Sequence, residues 1–239
     1  MTQHAATLKQ WLREEHPDLV RVLRLLRHEV RLASVCFAAN CSPWQWRVRR
    51  RLWRANNLRV QIGSGDNPAP EWVNIDGIYA ADLRTDLRGR LPLRSGSVAY
   101  IFTEHFLDHL EFPHGVGRLL RECRRVLKVG GVMRVVVHDG PRLLRAYLEK
   151  DAEFFEKTMD PSTPRADRSS LIACLNYVFH YDGFHQFIYD YETLERQFLD
   201  AGFSEVRRSS FRGSTIVELN LDSVLPHRPV QSLYVEAVT

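Results

Sequence analysis

Leu19, Leu23, Leu26 and Val30 recur at the three- and four-residue spacing that places them on one helix face. Pro17 suits the first turn of that helix, and Ser42-Pro43 is a second start signal, an N-cap residue followed by proline. Asn56-Asn57 breaks the pattern, so residues 1–56 read as a helical extension ahead of a domain spanning 57–239. From residue 58 the period changes. Residues 58–62 form a short apolar strand, Gly63-Ser64-Gly65 a turn, and 72–76 a second strand ending in a carboxylate. Residues 81–87 follow, then a turn at 91–97 and a compact buried strand at 98–102. Leu119, Leu120, Cys123, Val126 and Leu127 line a helix that Gly130-Gly131 is expected to end through a left-handed C-cap. Residues 132–137 are the fifth strand, closed by His138-Asp139-Gly140-Pro141. Such alternation predicts an α/β fold, a parallel sheet covered by helices.

The alternation lapses at about 140–190. A helix through Leu143, Leu144, Tyr147 and Leu148, a loop around Asp160 to Ser170 and a His/Tyr-rich stretch read as an insertion after strand five, placed as a lid. Asp190 then caps a helix whose Leu194, Phe198 and Ala201 share a face, Gly202 ends it, and strands at 203–206 and 232–238 follow.

With 44% hydrophobic and 26% charged residues among 239, the chain has an ordinary globular composition, enough for one substantial domain plus an appendage. No apolar run approaches the roughly 20 residues of a bilayer span, and the opening stretch lacks a signal-peptide core. Four scattered cysteines without a CxxC pair read as reduced thiols of a cytoplasmic protein, and no metal is expected. The net charge of +4 has a local source, because Arg47, Arg49, Arg50, Arg51 and Arg54 surround Trp44, Trp46 and Trp53. The favoured reading docks these tryptophans on the core and leaves the arginines in water. The alternative is contact with phosphate backbones or an anionic membrane surface.

Gly63 and Gly65 let the backbone approach a ligand and tolerate positive φ. A carboxylate closing the next strand, here Asp76, can accept hydrogen bonds from both hydroxyls of a ribose. Together they indicate a nucleoside site.

Several stretches extend this motif in order: Ile62-Gly63-Ser64-Gly65-Asp66-Asn67-Pro68, Trp72-Val73-Asn74-Ile75-Asp76, Asp86-Leu87, Leu91-Pro92-Leu93, Leu107-Asp108-His109-Leu110, Arg125-Val126-Leu127-Lys128-Val129-Gly130-Gly131, His185-Gln186-Phe187-Ile188-Tyr189-Asp190 and Ala201-Gly202-Phe203. In this order they resemble the class I S-adenosylmethionine (SAM) dependent methyltransferases, over roughly residues 58–239. Within that class the chain is similar to a bacterial group met among cell-surface polysaccharide and natural-product genes. The resemblance implies a doubly wound, Rossmann-like, seven-stranded sheet with an antiparallel last strand. SAM would lie across the carboxyl ends of the central strands, leaving as S-adenosylhomocysteine. It further implies that Gly63, Ser64 and Gly65 pass beneath the methionine and ribose, and that Asp76 takes the ribose hydroxyls. Asp86 with the Leu87 amide would recognise the adenine amino group, Asp82 being a nearby competitor, and Thr103, Glu104 and His105 would continue the wall. The chain departs from the group's pattern at Gln61, where an acid is common, and at Val129 and His138, where proline is common.

A hydroxyl acceptor benefits from a general base. His185 on the lid is the first candidate and His138 the next, with Asp139 and Tyr189 beside them. His109 is expected to hold the start of the helix after strand four. Motifs for base, pyrimidine-carbon or protein-arginine methylation are absent from the sequence. Asn176, Tyr177, Phe179, His180, Tyr181 and Phe184 suit a modest aromatic pocket for a small molecule. The expected reaction is therefore O-methylation of a sugar or secondary metabolite. The alternatives are an RNA methyltransferase docked through the Arg/Trp segment, or a non-catalytic relative whose first helices bind a protein or membrane partner.

Overall fold

In the computed structural model, Trp11 and residues 15–159 and 168–239 are described. Residues 160–167 of the expected loop lie outside them. Helix α1 (Pro17–Cys41) starts on its proline, and α2 (Pro43–Arg54) is capped by Ser42, whose hydroxyl accepts from the Gln45 N–H. The face of α2 that turns inward carries Gln45, Val48 and Leu52. This overturns the expectation for the tryptophans: Trp44, Trp46 and Trp53 are 65%, 56% and 51% exposed. The reason is a polar anchor. The Gln45 amide donates to the Asp82 carbonyl and accepts from the Arg84 N–H, which fixes the roll of the helix. Leu19, Leu23, Leu26 and Val30 are likewise exposed, while α1 buries Leu32 and Ala39.

Strands β1 (Leu58–Ile62), β2 (Val73–Asp76), β3 (Leu83–Arg84), β4 (Val98–Glu104), β5 (Leu127–His138), β6 (Glu205–Ser209) and β7 (Ser232–Val238) form one sheet. Their order is β3-β2-β1-β4-β5-β7-β6, and β7 runs antiparallel to both neighbours. Chain order thus runs outward from the β1/β4 pair to β3 on one side and to β5 on the other, the doubly wound, Rossmann-like arrangement, with β7 inserted between β5 and β6. The pleat sends alternate residues to opposite faces. Ile101, Val135 and Val137 pack with α2, with α3 (His114–Val126) and with α7 (Tyr191–Asp200). Phe102 and Val136 pack instead with Ala69, Trp72 and Leu219. A short loop therefore covers the second face where the first helix of such folds usually sits.

Helix α3 ends at Val126 and β5 begins at Leu127, so Gly130-Gly131 is not a helix cap. The Leu127 N–H bonds the Cys123 carbonyl in an extended conformation and leads straight into the strand. Gly130, at φ 69°, bends the strand instead. After β5, α4 (Gly140–Leu148), α5 (Ala152–Thr158) and α6 (Leu171–His180) gather Leu143, Phe154, Phe155 and Val178 into a separate small core. A short helix, α8 (His227–Gln231), precedes β7.

Arg134, in mid-β5, is wholly buried. Its guanidinium donates to Asp222 at 2.8 and 2.5 Å, to Glu236 at 3.1 Å, to the Ser209 hydroxyl and to the Ser210 carbonyl. This network binds the 210–222 segment to the sheet. Among the described residues no helix is long and apolar enough to cross a membrane.

Candidate functional site

At the carboxyl end of β1 the chain turns through Gly63 (φ 65°) and Gly65 (φ 57°). Asp76, closing β2, accepts from the Gly65 N–H at 3.0 Å through Oδ2, and from Ile78 and Tyr79 at 2.7 and 2.9 Å through Oδ1. Three of its roughly four lone-pair positions are so engaged, and one is left for a ligand. The turn borders a cavity of about 620 Å³. Its floor is Gly63, Gly65 and Asp76, one wall is His105 and Phe106, and Leu25, His28, Glu29 and Leu32 of α1 roof it.

Asp86 and Leu87 line the same cavity. Arg88 grips Asp86 through Nε (3.0 and 3.2 Å) and Nη2 (2.9 Å), while its Nη1 reaches Glu29 of α1. Burial works to raise the Asp86 pKa, but hydrogen bonds and charge from Arg88 hold it below the usual carboxylate value. Asp82 instead accepts from the Asn74 backbone and side-chain amides. It braces β2 against β3. The Ser64 and Thr103 hydroxyls are buried with no hydrogen-bond partner.

Glu104 does not line this cavity; it accepts from the Ser223 N–H, and desolvation raises its pKa. Gln61 is also spoken for, accepting from the Ala69 N–H and donating to the Asn67 carbonyl.

A second cavity, about 140 Å³, shares His105, His109 and Tyr181 with the first and is closed by His138, Tyr177, His185 and Arg228. His185 Nδ1 lies 2.5 Å from the Val178 carbonyl, which has no hydrogen to give, so the ring donates there and keeps its Nε2 lone pair. Burial, with help from His138, pushes the His185 pKa down to about 3. His138 Nδ1 lies 3.1 Å from His105 Nδ1 and 3.2 Å from Asp108 Oδ2. The fold thus brings His185 and His138 to one cavity. It sets Asp139 and Tyr189 outside it. Asp139 caps α4 through the Arg142 N–H, and buried Tyr189 donates to the Leu107 carbonyl. Asp190 caps α7. His109 Nδ1 meets the Phe184 carbonyl, tying the turn after β4 to the insertion.

Phe106, Asp108, Arg228 and the α1 roof were not singled out from sequence. Asp108 lies inside one of the matched stretches and was within reach there; Arg228 carries no local signal.

Residues 69–135 match the family model described as a methyltransferase domain. The chain is similar to a SAM-dependent methyltransferase of Archaeoglobus fulgidus, with 16% identity and a TM-score of 0.46 over 82% of this chain and 92% of that one. A SAM-dependent methyltransferase of Thermotoga maritima has 16% identity and a TM-score of 0.46 over 91% and 96% of the two chains. One of Methanosarcina mazei has 14% and 0.45 over 80% and 96%. No curated protein matches.

The residues of the larger cavity fit SAM. The glycine turn leaves room for backbone approach, and Asp76 and Asp86 offer acceptors for a nucleoside's hydroxyl and amine, whereas Ser64 lines neither cavity. Asp76→Ala is expected to weaken SAM binding at least about tenfold by calorimetry, since hydrogen bonds to a charged group contribute roughly 1.5–3 kcal/mol each. Unchanged affinity would remove Asp76 from the site.

Proposed function

We propose that this methyltransferase methylates a hydroxyl of a small molecule, of the sugar or secondary-metabolite class, seated in the smaller cavity. The reading rests chiefly on the junction of the two cavities at His105, His109 and Tyr181, beside the neutral ring of His185. SAM supplies a methyl group already activated on a sulfonium. The Gly63–Gly65 backbone and Ser64 underlie its methionine and ribose, Asp76 accepts from a ribose hydroxyl through its one remaining position, and Asp86 with the Leu87 amide reads the adenine amine. Thr103 stands behind this wall.

The rest of the work is alignment, which can itself supply several kcal/mol. The Val178 carbonyl fixes the His185 tautomer, so Nε2 is the atom that accepts from the acceptor hydroxyl. The oxygen becomes strongly acidic as it gains a third substituent, so even a weakly basic imidazole can take its proton then. His138 lines the same cavity and is the second candidate. A cytoplasmic setting accords with this reading, since the four cysteines are free.

The test is release of S-adenosylhomocysteine across a panel of sugars and phenolic or alcoholic metabolites. Turnover with hydroxyl acceptors supports the reading, and turnover confined to amines or RNA overturns it. His185→Ala is expected to lower kcat by about 10²–10⁴-fold with SAM affinity retained. Near-native turnover would exclude His185 as the base.

One observation favours a second reading, an RNA acceptor. Trp44, Trp46 and Trp53 are exposed together with Arg47, Arg50, Arg51 and Arg54, a combination of stacking faces and phosphate-binding charge. On that reading RNA affinity falls steeply with salt, and Arg50→Ala/Arg51→Ala/Arg54→Ala flattens the slope of log K against log salt by roughly 2–3. Salt-insensitive or absent RNA binding would discard it.

A further inference from the structure

We propose that His105, Asp108 and His138 form a binding site for a divalent transition-metal ion of the zinc type, set in the wall between the two cavities. The residues come from three rigid places: the end of β4, the turn at Leu107–His109, and the end of β5. Their side chains are 5%, 0% and 7% exposed. Three atoms converge. His105 Nδ1, His138 Nδ1 and Asp108 Oδ2 are separated by 3.1, 3.2 and 3.8 Å. Ligands bonded to one zinc ion at about 2.0–2.1 Å in tetrahedral geometry stand roughly 3.4 Å from one another. Two imidazoles and one carboxylate form a donor set suited to zinc, iron or cobalt.

Hydrogen bonding alone serves this arrangement poorly. His138 Nδ1 faces both the second imidazole nitrogen and the carboxylate, and a single N–H cannot point well at both. Asp108 Oδ1 is buried with no partner at all. One cation between His105 Nδ1, His138 Nδ1 and Asp108 Oδ2 gives each of these three atoms a partner. The surroundings also resemble those of a supported ligand set. His105 Nε2 lies 2.9 Å from the Ser232 hydroxyl and its backbone N–H bonds Val136, so the ring is held with Nδ1 inward. The Asp108 carbonyl accepts from Gln186 and Phe187, anchoring its turn to the insertion.

Both histidines line the smaller cavity, so an ion held by them presents its open position to whatever occupies that space. An oxygen ligand bound there would lose its proton more readily. This last consequence rests on the methyl-transfer reading; the ion site does not.

The test uses the full-length protein, stripped with a chelator and titrated with Co²⁺ and then Zn²⁺. The expected result is one equivalent of Co²⁺ with visible absorption bands of a low-symmetry nitrogen/oxygen site, displaced by one equivalent of Zn²⁺. Asp108→Asn and His138→Gln, each checked for cooperative melting, should weaken binding at least about 100-fold, while His114→Ala at the surface should not. If a variant does not fold, the Co²⁺ spectrum of the native protein still decides. No stoichiometric binding, binding indifferent to the variants, or an intense thiolate band placing the ion on Cys36 or Cys41 would each overturn the proposal. SAM titrated into the same samples separates the two readings. Co²⁺ binding without SAM binding upholds the ion site and removes the methyl-transfer reading, and the reverse result removes the ion site alone.

Discussion

Arg134→Met is expected to lower the free energy of unfolding by about 3–5 kcal/mol, the usual effect of removing one partner from a buried ion cluster. For a chain of this length that corresponds to a melting temperature lower by roughly 10 °C. The basis is where the remaining charges sit. Asp222 and Glu236 are 1% exposed, and each takes its charge-assisted hydrogen bonds from Arg134. Glu236 keeps a second partner in Arg207, at 2.9 Å, so the larger share of the loss falls on Asp222. The triple variant Arg134→Met/Asp222→Asn/Glu236→Gln removes the stranded charges and is expected to recover most of the loss. Equal melting temperatures for the single and triple variants would show that the effect lies in packing. Native-like stability of the single variant would show that the network contributes little.

Gly63→Ala is expected to weaken SAM binding at least about 100-fold and to destabilise the fold by about 1–2 kcal/mol through left-handed backbone strain alone. The steric part is larger. A Cβ at this position would stand 2.4 Å from Phe106 Cγ and 2.8 Å from Phe106 Cβ, atoms too close to the backbone to swing aside. Phe106 and its turn must move, and they form a wall of the larger cavity. Gly65→Ala is the control, because it shares the positive φ but meets nothing within 4 Å. Calorimetry and thermal melting of the two variants check the contrast. Equal losses in both would assign the whole effect to backbone strain.

The sheet was largely legible because its central strands are buried on both faces and read as unbroken apolar runs, as in Val135-Val136-Val137. The Gly63–Gly65 turn and Asp76 were legible because they are local, with strand, turn and strand within twenty residues. Two features were not. The stripe Leu19, Leu23, Leu26 and Val30 reads as a buried face, yet α1 turns a mixed stripe of Leu25, His28, Glu29 and Leu32 toward a cavity. Hydrophobic periodicity finds faces that pack on a core and misses those that line a polar space. The cluster of His105, Asp108 and His138 is hidden for another reason. His138 stands 33 and 30 positions from His105 and Asp108, and only the pairing of β4 with β5 makes it their neighbour. The roll of α2, set by Gln45, shows how one buried amide can outweigh three tryptophans.

Arg88 has a double attachment, one edge of its guanidinium on Asp86 and its Nη1 on Glu29 of α1. A nucleoside amine donating to Asp86 would compete for its oxygens with the guanidinium that also holds the roof helix. If a nucleoside binds there, filling the cavity and fastening its cover would be coupled, each shifting the other by the same free energy. Both ion pairs are exposed, so dissolved salt weakens them. On the SAM reading, the exchange of fresh donor for spent product would then be sensitive to ionic strength at a point remote from the methyl group.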